Sequence, residues 1–389
     1  MNAPTPRIVT LDFIRGIAVL GILLLNITAF ALPKAAYLNP AWQGVPAASE
    51  LWVWATLDLL AQAKFLALFA LLFGAGLQLL EPRGKRWLQG RLSWLVIFGL
   101  LHGLLFWEGD ILLAYGLIGL IGLVVWRMIR DVPGTRQLFN TGLFLYVIGS
   151  AILIVLGLAS GPHPNSAWLP GVADVQYETF WRTHGGLEAV RNRLDLLGSA
   201  LMALAAQYGW QLAGLMMIGA ALMRSGWLRG TFSVQHYRRS GWLLVLGGMV
   251  IEIPSILLQW RTGWDFRWSG FFLQVPREVS APLQALGYAA LCFAYWHRLQ
   301  SWAIARAICA VGRMALSNYL LQTLICTLLF NHFALFNHFG RAQLLAMVPA
   351  IWLANLIFSV CWLRLFRQGP MEWLWRTLTS LAAASTGGR

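Results

Sequence analysis

The sequence predicts an all-α protein that crosses a bilayer about ten times, and three observations carry that expectation. Of its 389 residues, 58% are hydrophobic and only 11% charged, with 21 Trp. That composition does not suit a soluble chain of this length. The apolar stretches run for 16 to 30 residues, which suits helices crossing roughly 30 Å of hydrocarbon and is too long for barrel strands. Basic residues also alternate between loops. With the N-terminus inside, 20 of the 29 Lys and Arg fall on the cytoplasmic side and 8 outside, with Lys64 left within a span. This positive-inside bias places both termini in the cytoplasm and explains the net charge of +14 without nucleic acid as a partner.

The first span, residues 11–30, reads LDFIRGIAVLGILLLNITAF. Thr10 is placed to cap it, Asp12 suits the positive end of its dipole, and Pro33 ends it. A second span over 51–80 contains Asp58 and Lys64, six residues apart and so expected on different helix faces. The basic loop EPRGKRWLQGR leads to a third span, 92–107, carrying His102. The acidic turn Glu108-Gly109-Asp110 then opens a fourth span ending near Arg127 and Arg130. Its glycines, Gly116, Gly119 and Gly122, form a small-residue stripe suited to close helix packing. A fifth span covers 141–158.

Residues 161–195 form the longest extracytoplasmic segment, with Pro162, Pro164 and Pro170 followed by Tyr177, Trp181, Arg182 and His184. Spans six to ten follow at 196–223, 241–260, 281–296, 308–330 and 344–363. Gly369-Pro370 breaks the chain before an amphipathic cytoplasmic tail helix, 369–380, suited to the membrane interface. Trp42, Trp87, Trp107, Trp126, Trp260 and Trp296 fall at span ends, where an aromatic belt belongs. Residues 1–6 lack the basic start of a removable signal, so the first span is expected to stay in a single integral membrane domain, 1–389. Cys292, Cys309, Cys326 and Cys361 lie in or beside spans without CxxC spacing and read as small buried hydrophobes, with no metal expected.

Polar residues inside these spans mark the candidate site. Arg15 and Asn26 are eleven residues apart, ~1100° around a helix, which puts both on one face ~16 Å apart. Asn26, His102, Glu108, Asp110 and Glu252 all lie toward the outer third of the membrane in this topology. His102 suits general base or acid work, oriented by Asp110 or Glu108, or a packing hydrogen bond between helices. Glu252, near Pro254, reads as a site residue or as half of a buried pair with an interior arginine. Lys64 is a further cavity candidate. Asn318 and Gln322 share one face at i, i+4, and with Asn355 they line a channel or bond helix to helix.

The opening LDFIRGIAVLGILLLN, with FGAGLQLL, HGLLFWEGDILLAYGLIG, GRMALSNYLLQ and GPMEWLWRTLT, resembles the YeiB-like family of bacterial polytopic membrane proteins. The N-terminal motif is similar to that of the wider transmembrane acyltransferase superfamily, which includes heparan-glucosaminide N-acetyltransferase and the type-3 acyltransferases. The resemblance implies transfer of an acyl or acetyl group from cytoplasmic acyl-CoA to a hydroxyl or amine acceptor across the bacterial inner membrane. It implies that Arg15, paired with Asp12, holds CoA phosphates. Type-3 relatives place a catalytic His eleven residues after the motif Arg, where this chain has Asn26. The heparan enzyme is similar at that Asn but adds a His in the next outer loop, where this chain offers Lys34 and Tyr37. The acyltransferase reading therefore needs His102 to take the base role, with Asn26 as an oxyanion donor, or a mechanism without His. An extracytoplasmic glycan or lipid-linked acceptor is the expected partner. The competing readings are a transporter or flippase using Lys64, Glu252 and His102, and an assembly partner without turnover.

Overall fold

The computed structural model describes residues 7–130 and 134–385, which are helical or loop with no strand among them. In chain order the helices are α1 (Val9–Ala31), α2 (Ala48–Leu60), α3 (Lys64–Leu80), α4 (Lys85–Leu105), α5 (Leu112–Arg130) and α6 (Thr135–Ala159). Next come α7 (Val172–His184), α8 (Gly186–Ala203), α9 (Gly209–Arg224), α10 (Val234–Arg261) and α11 (Gln274–Leu299). The last four are α12 (Ala303–Arg313), α13 (Ala315–Thr327), α14 (Arg341–Leu365) and α15 (Pro370–Ser385). Among the described residues, seven helical stretches are long and apolar enough to cross a membrane, with α12 and α13 forming an eighth if their 91° bend belongs to one span.

The first helix sits at the centre. In α1, 67% of the spanning window is buried, against 28% in α6 and α14. Two glycines allow its closest approach: a Cβ at Gly16 would overlap the Ile308 carbonyl, and one at Gly312 would overlap the Asp12 carbonyl. A small residue at each contact lets α1 and α12 meet backbone to backbone. Gly116 and Gly119 likewise pack against α4, while Gly122 faces open space.

Several expectations need correction. Thr10 lies inside α1, which begins after Ile8 without a side-chain cap, while Asp12 stays in the first turn. The second span is not one helix: it breaks at residues 61–63, with Ala63 left-handed at φ 64°. Asp58 and Lys64 therefore do not share one helix on whose different faces they could lie, and the break lets Lys64 Nζ donate to the Asp58 backbone carbonyl at 2.5 Å. The later part of 161–195 is helical, as α7 and the start of α8, and α8 runs on into α9 through a π-turn at Leu204–Tyr208. Cys361 is exposed on α14, unlike Cys309 and Cys326. Residues 1–6 and Arg389 lie outside the described residues, as do the side chains of Trp126, Arg127 and Arg130.

Candidate functional site

At the far end of α1, away from its N-terminus, the helices part around a cavity of about 790 Å³. Three departures from α-helical geometry shape its wall: the break at 61–63, the π-turn Leu204–Tyr208 and a second π-turn at Trp268–Phe272. Such irregular turns are enriched at functional sites because they re-aim side chains and free backbone groups. Asn26 lines this cavity with Lys34, Tyr37, Trp107 and Glu108. The same lining brings Tyr208, Gln211, Arg277 and Glu278. Burial raises the Tyr37 phenol above its ordinary pKa, with Gln62 as hydrogen-bond partner, so the phenol keeps its proton at neutral pH.

Residues of the predicted outer segment cover the cavity. Asn165 and Trp168 line it, and the Trp168 indole donates to the Trp264 carbonyl at 3.0 Å. Asn39 fastens the same turn, donating from Nδ2 to the Trp168 carbonyl at 3.0 Å. Glu108 accepts from Arg182, which also donates to Glu178 at 2.9 Å. Burial lowers the Arg182 pKa, but these two carboxylates more than offset it and the net shift is upward. The guanidinium is therefore a fixed charge at the cavity edge.

Beneath the cavity lies a sealed charge network. Lys64 and Glu252, both fully buried, pair at 2.5 Å, and Glu252 also accepts from Ser280 at 2.6 Å and Gln284 at 3.1 Å. Arg277 reaches Asp58 at 3.1 Å, joining this network to the cavity wall. Lys64 and Glu252 do not line the cavity themselves. Asn318 and Gln322 do not either: Asn318 Nδ2 donates to Ser359 Oγ at 2.7 Å, and Gln322 Nε2 donates to the Val19 carbonyl at 3.2 Å. Asn355 donates to Asn318 Oδ1 at 2.9 Å, so these amides bond α13 to α1 and α14. Of Glu108, Glu252, Lys64, Asn318 and Gln322, only Glu108 joins Asn26 in the wall.

His102 and Asp110 do come together. The ring Nδ1 lies 2.7 Å from Asp110 Oδ1, and Nε2 lies 3.0 Å from the Thr323 hydroxyl. A carboxylate on Nδ1 holds the proton there, leaving Nε2 as acceptor for Thr323. Asp110 Oδ2 also accepts from the Leu113 amide at 2.7 Å, so one side chain starts α5 and orients the imidazole. His102 is buried and outside the cavity lining; Trp107 touches both, lining the cavity and packing edge-on to the ring at 6.5 Å.

At the near end, Arg15 contacts Asp12 at 3.3 Å, and Arg7 reaches the same carboxylate at 2.6 Å. Arg91 stacks on Trp375 at 3.4 Å and lies within electrostatic reach of Arg15, Arg83 and Arg376. Glu372 is the nearby counter-charge, capping α13 through the Leu316 and Ser317 amides at 2.8 and 3.0 Å. Sequence reasoning did not single out Arg277, Glu278, Tyr208 or Thr323. Gln207 and Gln211, four apart within an apolar stretch, were the available signal for one wall; Gln207 donates to Gln211 at 2.8 Å.

Residues 222–382 match a family described as a protein of unknown function, DUF418. The chain is 61% identical over 377 residues to the uncharacterized protein YeiB of Escherichia coli (strain K12), covering 97% of each. It is 28% identical over 406 residues to the uncharacterized protein YxaH of Bacillus subtilis (strain 168), covering 97% of this chain and 95% of that one. An uncharacterized 39.9 kDa protein of Bacillus acidopullulyticus is 29% identical over 389 residues, covering 96% and 94%. No solved structure matches the chain.

Proposed function

The chain belongs to the YeiB family of membrane proteins, and within that family we propose a membrane acyltransferase fed by acyl-CoA from the cytoplasm. The observation that carries the proposal is the placement of α1, which joins an arginine-rich near end at Arg15 to the cavity that Asn26 lines. Anionic CoA phosphates bind at the near end, where Arg15 offers a planar fork for phosphate oxygens and Asp12 fixes it. The acceptor, a hydroxyl- or amine-bearing glycan or lipid-linked head group, binds in the cavity. Its aromatic faces at Trp107 and Trp168 and charges of both signs at Glu108, Lys34, Arg277 and Glu278 suit such a polar ligand.

In this reading the seven long stretches, the bent α12–α13 pair, the short apolar α5 and the less apolar α11 make ten passes of the bacterial inner membrane. Both termini are cytoplasmic, as the charge bias demands. The Asn26 amide donates to the carbonyl oxygen as negative charge develops there. His102, held by Asp110 with Nε2 accepting, takes the proton from the attacking hydroxyl or amine once Nε2 exchanges Thr323 for the acceptor. That exchange requires Trp107 to shift, since it packs against the ring from the cavity side. The new C–O or C–N bond forms as the thioester C–S bond breaks, and CoA leaves as the thiolate, which takes up the proton that His102 then gives back.

A transporter or flippase is the second reading, favoured by the helix break at 61–63 in the cavity wall and the buried Lys64–Glu252 pair beneath it. Calorimetry with acetyl-CoA on the purified protein separates the two. Acyl transfer predicts binding that Arg15→Ala weakens by about 1.5–3 kcal/mol and that Arg15→Lys restores in part. Equal affinity in all three proteins, or none in the parent, overturns the acyl-CoA site.

A further inference from the structure

We propose that the cavity binds a primary ammonium group, with Glu278 as its counter-ion. This rests on the cavity being the acceptor's site, and it narrows that acceptor from a hydroxyl or amine to an amine. The ground is a charge imbalance. Three carboxylates, Asp58, Glu252 and Glu278, lie within electrostatic reach of two cations, Lys64 and Arg277. Lys64 pairs with Glu252 at 2.5 Å, and Arg277 pairs with Asp58 at 3.1 Å. Arg341 also reaches Asp58 electrostatically, but it has Glu50 beside it as a counter-charge. Glu278 is left without a cation of its own.

The groups around Glu278 do not make up that deficit. Arg277 Nε stands 4.0 Å from Oε1, beyond hydrogen-bond reach, and one guanidinium cannot balance both Glu278 and Asp58. Its other partners are neutral. The Tyr146 hydroxyl donates to the Glu278 backbone carbonyl at 2.6 Å and approaches the carboxylate only at 3.5 Å, and Gln211 supplies an amide. An uncompensated carboxylate at bilayer depth is expensive. Glu278 is also the open member of the set: its side chain is 18% exposed and lines the cavity, whereas Lys64 and Glu252 are wholly sealed. A cation arriving through the cavity can therefore reach it.

The lining identifies the kind of cation. Tyr37 and Tyr208 lie within electrostatic reach of Glu278, and with Tyr146 they line the same cavity. Aromatic rings gathered about one carboxylate suit an organic ammonium, which the ring faces attract as the carboxylate does. A bare metal ion would ask for six or more oxygens instead, and no such group of acidic side chains stands among the described residues. The volume of about 790 Å³ leaves room for the organic body that carries the nitrogen. A hydroxyl in the same place would leave the Glu278 charge unmatched. Before attack the ammonium passes one proton to the Glu278 carboxylate, giving a neutral amine beside a neutral acid.

Calorimetry on the purified full-length protein tests this with two probes of nearly one shape, tyramine and tyrosol, which differ by an ammonium in place of a hydroxyl. Tyramine is expected to bind about tenfold more tightly, the factor of one hydrogen bond to a charged group. Glu278→Gln keeps the size of the side chain and removes its charge. It should lower tyramine affinity about tenfold and leave tyrosol affinity unchanged, which also reports an intact cavity. Should that variant fail to fold, the ratio of the two probes in the parent decides alone. No saturable binding of tyramine, equal affinity for both probes, or unchanged tyramine affinity in Glu278→Gln overturns the proposal. These titrations contain no acetyl-CoA, so the two readings fail separately. Equal probe affinities with CoA release intact would strike the ammonium site alone. A tyramine preference in a protein that does not bind acetyl-CoA would strike acyl transfer and uphold the ammonium site.

Discussion

Two charged side chains fully sealed from solvent, Lys64 and Glu252, hold α3 to α10 at 2.5 Å. Removing one partner of a buried pair strands the other, a loss of about 3–5 kcal/mol, whereas replacing both is close to neutral. Lys64→Met is therefore expected to lower the thermal midpoint of the detergent-solubilised protein sharply, and Lys64→Met with Glu252→Gln to recover most of it. A double variant as unstable as the two single losses added together would show that the pair is not a unit. His102 makes a different prediction. In the proposed mechanism it serves as the base, with Asp110 on one nitrogen and the Thr323 hydroxyl on the other, and such assistance is worth about 10²–10⁴-fold. His102→Gln should cut transfer by that factor while acetyl-CoA binds normally by calorimetry. Unchanged turnover would leave the histidine a packing group. The sequence made Asp110 legible because the Glu108–Asp110 turn folds back over eight residues. It could not make Thr323 legible, since that hydroxyl arrives from 221 residues away.

The break between α2 and α3 shows where element prediction from sequence ends. The run LLAQAKFLALFALL is made of good helix formers, and nothing local in it asks for a break. Tertiary contacts on either side override that preference: Lys64 is drawn to Glu252, Asp58 to Arg277, and Ala63 takes up the turn at φ 64°. A left-handed non-glycine residue costs about 1–2 kcal/mol. Ala63→Gly should therefore be neutral or raise the melting temperature, and Ala63→Val should lower it, as a thermal melt of the three proteins would reveal. A destabilising Ala63→Gly would mean that the methyl group, rather than the backbone, sets the break. The 91° bend between α12 and α13 has the same kind of cause: the α13 start is capped by Glu372, more than 50 residues further on. Helix existence was readable from apolar length, as in α1, α6 and α14. The breaks that make a cavity were not, because each depends on a partner distant in the chain.

At the scale of the molecule, the charge bias predicts orientation and the cavity predicts chemistry. After the native cysteines are replaced, cysteines at positions 85 and 176 should differ in intact cells. An impermeant thiol reagent should modify position 176 and not 85, and the reverse would invert the proposed topology. The Arg15–Asn26 alignment was legible because helical periodicity alone fixes it. The arginines around Arg91 and the Arg277–Glu278 wall were not, because they assemble from separate helices. The central claim is that Asn26 stands where an acyl group meets its acceptor, with CoA held at the other end of α1. The most direct measurement is release of free CoA from acetyl-CoA by the purified protein, with water as the exploratory acceptor, in the parent and in Asn26→Ala. The account predicts slow release by the parent and a loss of about 10²-fold in Asn26→Ala, the effect of removing one oxyanion donor, with acetyl-CoA affinity unchanged. Release at the same rate from both proteins would contradict it.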